Sequence, residues 1–143
     1  MKLLITSDIH RNLTNLNVVK AKYPNHYHLD AGDAVLDEDL LSEFKVSSVR
    51  GNCDYNYHLP LFKVEIVNDL KILVTHGHLL AVKHGVSELI MEANRREVNV
   101  VIFGHTHIPY LNIINNVTFI NPGSLNEGKY AVYEKGEFIL REL

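Results

Sequence analysis

The chain has a single cysteine, Cys53, so no disulfide can close within it. That predicts a reducing compartment. No apolar run approaches the ~20 residues that a membrane span requires. The apolar start of MKLLITSDIH is too short for a secretory signal, and an acidic residue follows at once. Together these absences predict a cytoplasmic protein with no membrane association. Charge of one sign is also lacking. A formal net charge of -3 predicts no strong non-specific hold on nucleic acid or anionic lipid. Proline and glycine are few, at 4 and 8 residues, and no repeat, linker or low-complexity tract interrupts the chain. A length of 143 residues with 46% hydrophobic composition suits one sizeable core, and a single domain is expected over residues 1–143.

What is present in excess is histidine, nine in all. Four of them, His26, His28, His58 and His84, are scattered and are expected to be surface or hydrogen-bonded residues. The other five, His10, His76, His78, His105 and His107, each follow an apolar run. Leu3–Thr6, Tyr27–Leu29, Val46–Val49, Leu70–Thr75, Val98–Phe103 and Val117–Ile120 read as strands. Helices are predicted over Asn12–Tyr23, Leu36–Phe44 and His84–Arg96 from their apolar spacing, with Pro24 ending the first. Hairpin turns are predicted at Asn68-Asp69, Asn115-Asn116 and Lys135-Gly136. Strand–helix–strand early and hairpins later predict an α/β fold: a mixed sheet, or two sheets face to face.

The polar residues sit at the carboxyl ends of the predicted strands. Asp8 and His10 follow the first, Asp33 the second, and Asn52 and Asp54 the third. His76 and His78 follow Leu70–Thr75, and His105 and His107 follow Val98–Phe103. Ligand crevices of open α/β sheets lie outside those ends, so these residues are expected to meet in one site. Asp8, His10, Asp33, Asn52, His76, His105 and His107 offer two carboxylates, an amide and four imidazoles. That is more than one first-row ion needs and fits two ions, with one carboxylate shared. Nitrogen and oxygen donors without thiolate suit Mn, Ni, Fe, Zn or Co rather than Ca or Mg. Such a pair can activate a water and hold the oxygens of a phosphoryl group.

SDIH, AGD, GNCD, THGH and GHTHIP resemble, in order, the motif blocks of the calcineurin-like metallophosphoesterases. NPGS at 121–124 and VKHG at 82–85 are similar to the small YfcE-like prokaryotic phosphodiesterases. The resemblance implies two mixed β-sheets packed face to face and flanked by helices. It implies Asp8, His10 and His107 on one ion, Asn52, His76 and His105 on a second, and Asp33 between them. Mn leads the candidate metals. The implied reaction is hydrolysis of a small-molecule phosphate ester, most often a diester, by a hydroxide shared between the ions, with Asn52 also touching phosphate. The superfamily also contains a eukaryotic retromer subunit, a scaffold with an eroded ligand set. A catalytically weak or inactive interaction protein is therefore the alternative, although every carried-over ligand is present here.

The chain departs from the broad pattern at two places. Cys53 stands where many members place a proton-donating histidine, and a thiol is a poor acid beside an imidazole at neutral pH. His78 is the substitute candidate for that role, with a hydrogen-bonded loop histidine as its plain reading. Arg11 replaces a common glycine; it either reaches substrate phosphate or lies on the surface, and the surface reading is preferred. Asp54 either caps a turn or orients a ligand. Asn121 and Ser124 are read as turn formers, and Asn12 either contacts phosphate or caps a helix. The exposed Lys129–Leu140 hairpin leaves self-association open.

Overall fold

A computed structural model describes residues 1–143. Its first sheet contains β1 (Leu3–Thr6), β2 (Tyr27–Asp30), β3 (Val46–Ser48), β9 (Lys129–Glu134) and β10 (Glu137–Glu142), in the order β10-β9-β1-β2-β3. The second contains β4 (Phe62–Val67), β5 (Leu70–Thr75), β6 (Val100–Ile102), β7 (Tyr110–Ile114) and β8 (Val117–Asn121), in the order β4-β5-β6-β8-β7. Each sheet has a parallel run, β1-β2-β3 in one and β5-β6-β8 in the other; the antiparallel β9-β10 hairpin flanks the first on one side, and antiparallel β4 and β7 flank the second on both. Both sheets are therefore mixed.

The central strands are mostly apolar because both of their faces are covered. Leu3, Ile5, Leu29, Ile72, Ile102 and Ile120 meet between the sheets. Leu4 and Val132 turn the other way, toward Leu16 and Val19 of α1 (Leu13–Lys22) and Leu41 of α2 (Glu38–Glu43). Leu73 and Val101 pack on Leu89 and Ala93 of α3 (Ser87–Arg96). Each such fully buried side chain stabilises the fold by ~1.5–3 kcal/mol relative to exposure. The result is the two-sheet sandwich with outer helices, and no helix is long and apolar enough to cross a membrane.

The helices begin later than their apolar spacing suggests. Asn12 and Asp37 are caps, their side chains accepting from Asn15 N and Leu40 N, so α1 starts at Leu13 and α2 at Glu38. A helix from His84 is not formed. Val82–His84 make a short 3-10 turn, Gly85 lies at φ 120°, and α3 begins at Ser87. The hairpin turns fall where expected, with Asn68, Asn115, Asn116 and Lys135 at positive φ.

Candidate metal centre

Two parallel strand sets, one in each sheet, bring their carboxyl ends to the same place. Asp8 and His10 leave β1, Asp33 leaves β2, His76 leaves β5, and His105 and His107 leave β6. The side chains sort into two groups. Asp8, His10 and His107 form one; Asp33, His76 and His105 form the other. Within each group the ligand atoms all lie within 4.8 Å of one another. Each group draws its carboxylate from the first sheet and at least one imidazole from the second. Asp8 Oδ1 stands between them, 3.1 Å from His107 Nε2, 3.5 Å from His10 Nε2 and 3.8 Å from His76 Nε2. Asp33 Oδ2 lies 3.1 Å from His76 Nε2.

Local backbone explains the convergence. Asp8, His10, Asp33, His105 and His107 all have φ between 48° and 71°, a region that side chains other than glycine rarely adopt. Such turns cost of order 1–3 kcal/mol each and gather at functional sites. In a strand His105 and His107 would point the same way. In this left-handed loop they part, His105 toward His76 at 5.1 Å between ring centres and His107 toward His10 at 5.4 Å. Gly104 makes the approach possible, since a Cβ there would fall 1.9 Å from Ser7 Oγ.

The outer atoms of the ligands are tied down while the inner ones are left free. Asp8 Oδ2 accepts from Ser7 Oγ at 2.6 Å and from His105 N at 3.1 Å. Asp33 Oδ1 accepts from Cys53 N at 2.8 Å. His76 Nδ1 donates to Ala31 O at 2.8 Å, which leaves Nε2 as the lone-pair nitrogen facing inward. Asp8 Oδ1, His10 Nε2 and His76 Nε2 are buried and have no hydrogen-bond partner. Buried polar atoms are nearly always paired, and an orphan costs about 1–3 kcal/mol. Three orphans converging from two groups fit a cation, and the nitrogen and oxygen donor set suits a first-row divalent ion.

Burial pushes the Asp33 carboxyl up, but the adjacent His76 imidazole and the Cys53 N–H outweigh it and hold it at about 2. Burial lowers His76, yet the Asp33 and Asp8 carboxylates leave it raised overall. Burial, with His76 nearby, depresses His105 and His78, so both imidazoles are neutral, the form that ligates. Burial, with Asp33 and Asp54 close by, raises the Cys53 thiol, which argues against a thiolate nucleophile.

His78 sits beside the second group, 5.5 Å from His76 and 6.3 Å from His105 between ring centres, with Nδ1 buried and unpaired. Asn52 lies at the rim, exposed, its Nδ2 3.5 Å from Cys53 Sγ. Arg11 is exposed. Asp54 clamps the loop of Asp33: its Oδ2 accepts from Asp33 N and Gly51 N, and its Oδ1 from Val35 N.

The turn assigned to Asn121 and Ser124 is only part of their role. Asn121 Oδ1 does accept from Gly123 N, but its Nδ2 donates to Gly104 O and Thr106 Oγ1. Ser124 Oγ donates to Asp8 O at 2.7 Å. Both residues therefore brace loops that carry ligands. Glu127, which no motif flagged, places Oε1 3.5 Å from His107 Nδ1.

Residues 1–138 match the profile of the calcineurin-like phosphoesterase superfamily domain. The chain is 32% identical over 130 residues to the probable metallophosphoesterase YsnB of Bacillus subtilis, covering 87% of this chain and 75% of that protein. It is 30% identical over 90 residues to phosphodiesterase YfcE of Escherichia coli, covering 57% of this chain and 45% of that one. A crystal structure of a predicted phosphoesterase from Streptococcus pneumoniae superposes with a TM-score of 0.85 at 25% identity, over 99% of this chain and 88% of that one. The match over residues 1–138 and the identity to YsnB show that the chain belongs to the calcineurin-like phosphoesterase superfamily.

Proposed function

We propose that the chain is a cytoplasmic dinuclear-metal phosphodiesterase acting on a small-molecule phosphate diester. The observation that carries this reading is the pair of three-residue groups with inward-facing, unpaired buried atoms. Asp8, His10 and His107 would hold one ion. Asn52, His76 and His105 would hold the other, with Asp33 as the shared ligand. Mn is the first candidate, and Ni, Fe, Zn and Co share the donor preference. Bound ions would supply an acidified water and neutralise charge on the phosphoryl oxygens.

The chain's own residues do the rest. Asp8 Oδ1 and the Asp33 carboxylate supply negative charge at the floor of the site. Ala31 O holds His76 in the tautomer that leaves Nε2 free. Asn52 would also touch a phosphate oxygen. His78 is the proposed proton donor to the departing ester oxygen.

The test is hydrolysis of an aryl phosphodiester and its monoester by protein stripped of metal and reloaded with Mn, Ni, Zn, Co or Mg. Metal-dependent turnover of the diester in preference to the monoester supports the proposal. Two bound ions without turnover of either ester would favour the scaffold reading.

A further inference from the structure

Beneath the Asp33 side of the centre lies a buried polar cluster that the chemistry above leaves unused. Asp30, the last residue of β2, is fully buried. Its Oδ1 accepts the Thr6 hydroxyl at 2.7 Å. Its Oδ2 accepts the Ser48 hydroxyl at 2.8 Å and Gly32 N–H at 3.0 Å. Thr6 Oγ1 also lies 2.6 Å from His28 Nε2, and Lys20 Nζ lies 3.4 Å from His28 Nδ1. An ammonium has only hydrogens to offer, so Lys20 donates to Nδ1. Nε2 then carries the ring hydrogen and donates to Thr6, which gives its own to Asp30. The donors run in one direction, from α1 to the buried carboxylate.

Three hydrogen bonds hold this carboxylate in place of a counter-ion. Burial pushes its carboxyl up, the Thr6, Ser48 and Gly32 donors pull it back, and it comes to rest at about 7. An apolar side chain would fill the position without that strain on ionisation. The return is local. The Gly32 N–H bond closes a turn over Asp30, Ala31 and Gly32, immediately before Asp33. Ala31 O, inside the turn, accepts from His76 Nδ1, and Gly32 O accepts from Asp8 N at 2.9 Å. Gly32 itself stands at φ 99°, so the turn needs a firm partner to keep it.

We infer that Asp30 is a positioning residue of the metal centre: through Gly32 its carboxylate fixes the turn that orients Asp33 and His76. The inference rests on the reading of the two groups as an ion-binding centre.

Calorimetric titration of stripped protein with Mn(II) near pH 8, alongside thermal unfolding, tests it in three proteins: wild type, Asp30→Asn and Thr6→Val. The asparagine keeps the shape but has one oxygen to serve donors on two sides, so Gly32 N–H or Thr6 loses its acceptor. Thr6→Val removes the side-chain bonds of Thr6 and spares the Gly32 bond. Asp30→Asn is expected to weaken the Mn(II) site of His76 ~10–100-fold, the usual cost of losing a supporting contact behind a ligand, and, through the shared Asp33, to weaken the other site less. Thr6→Val is expected to lower the unfolding temperature yet bind both ions as wild type does. Wild-type affinity at both sites in Asp30→Asn overturns the inference, as does an equal weakening in Thr6→Val. Should Asp30→Asn not fold, Asp30→Leu removes the acceptor of Gly32 N–H with an apolar side chain of similar size; it is expected to weaken the same site, and unchanged binding there overturns the inference too. Wild-type protein that takes up no ion overturns the metal-centre reading itself and this inference with it, a failure seen before any substitution is made.

Discussion

The two halves of the centre are built differently. In the half made by Asp8, His10 and His107, the imidazole side chains are 27% and 38% exposed. In the half made by Asp33, His76 and His105, His76 has no exposed surface. Two of the three ligands in the closed half are braced: Ala31 O fixes His76, Cys53 N–H fixes the Asp33 carboxylate, and Asp54 fixes the Asp33 backbone. In the open half His107 leans on an exposed Glu127 at 3.5 Å. His76 and Asp33 are thus held by the fold, whereas His10 and His107 are partly exposed.

The strongest way to break this comparison is Asp33→Asn. If Asp33 is shared, the variant loses turnover by more than ~100-fold and weakens both ions, since losing a ligand costs more than losing its support. Metal content and turnover like those of wild type would return Asp33 to the closed half alone. Next in size is the contrast between His76→Ala and His107→Ala. His76→Ala should lower both stability and ion affinity, because it leaves a void and an unpaired Ala31 carbonyl. His107→Ala should cost affinity at one ion with little change in urea midpoint; equal destabilisation would erase the distinction. Smaller still is Cys53→His at the rim of the closed half. Rate gains of about tenfold are expected on diesters with poor leaving groups and little on activated aryl esters. A uniform change across leaving groups would mean that proton supply is not what position 53 limits.

The least effect on turnover, and a direct probe of the floor below the closed half, comes from pH. Asp30 keeps its proton to about 7 in the folded protein against an ordinary 3.8. Between those values the folded state binds more protons than the unfolded one, so this group's contribution to stability falls as pH rises through that window. Urea midpoints of stripped wild type should therefore drop relative to those of Asp30→Asn between about pH 5 and about pH 8. Parallel midpoints would mean that Asp30 does not hold a proton.

The sequence made legible whatever repeats or sits close by. The apolar runs that became β1, β5 and β6, the polar pairs at the hairpin turns and the ligand-bearing strand ends all carry local signals. Helix starts were blurred because a cap such as Asp37 reads like helix until its backbone is seen, and because Gly85 breaks the pattern before Ser87. The braces were not legible at all. Ser124 reaches Asp8 across 116 residues and Asn121 reaches Gly104 across 17. Neither distance leaves a mark in a window of neighbours. Asp30, Thr6 and Ser48 were hidden for the same reason, since each is one polar residue at or beyond the end of an apolar strand.

Each half of the centre joins a carboxylate from one sheet to at least one imidazole from the other. Elsewhere the sheets meet mainly through apolar side chains, which can slide. An ion in either half would thus be a rivet through both layers at one end of the sandwich, added to the apolar core that already joins them.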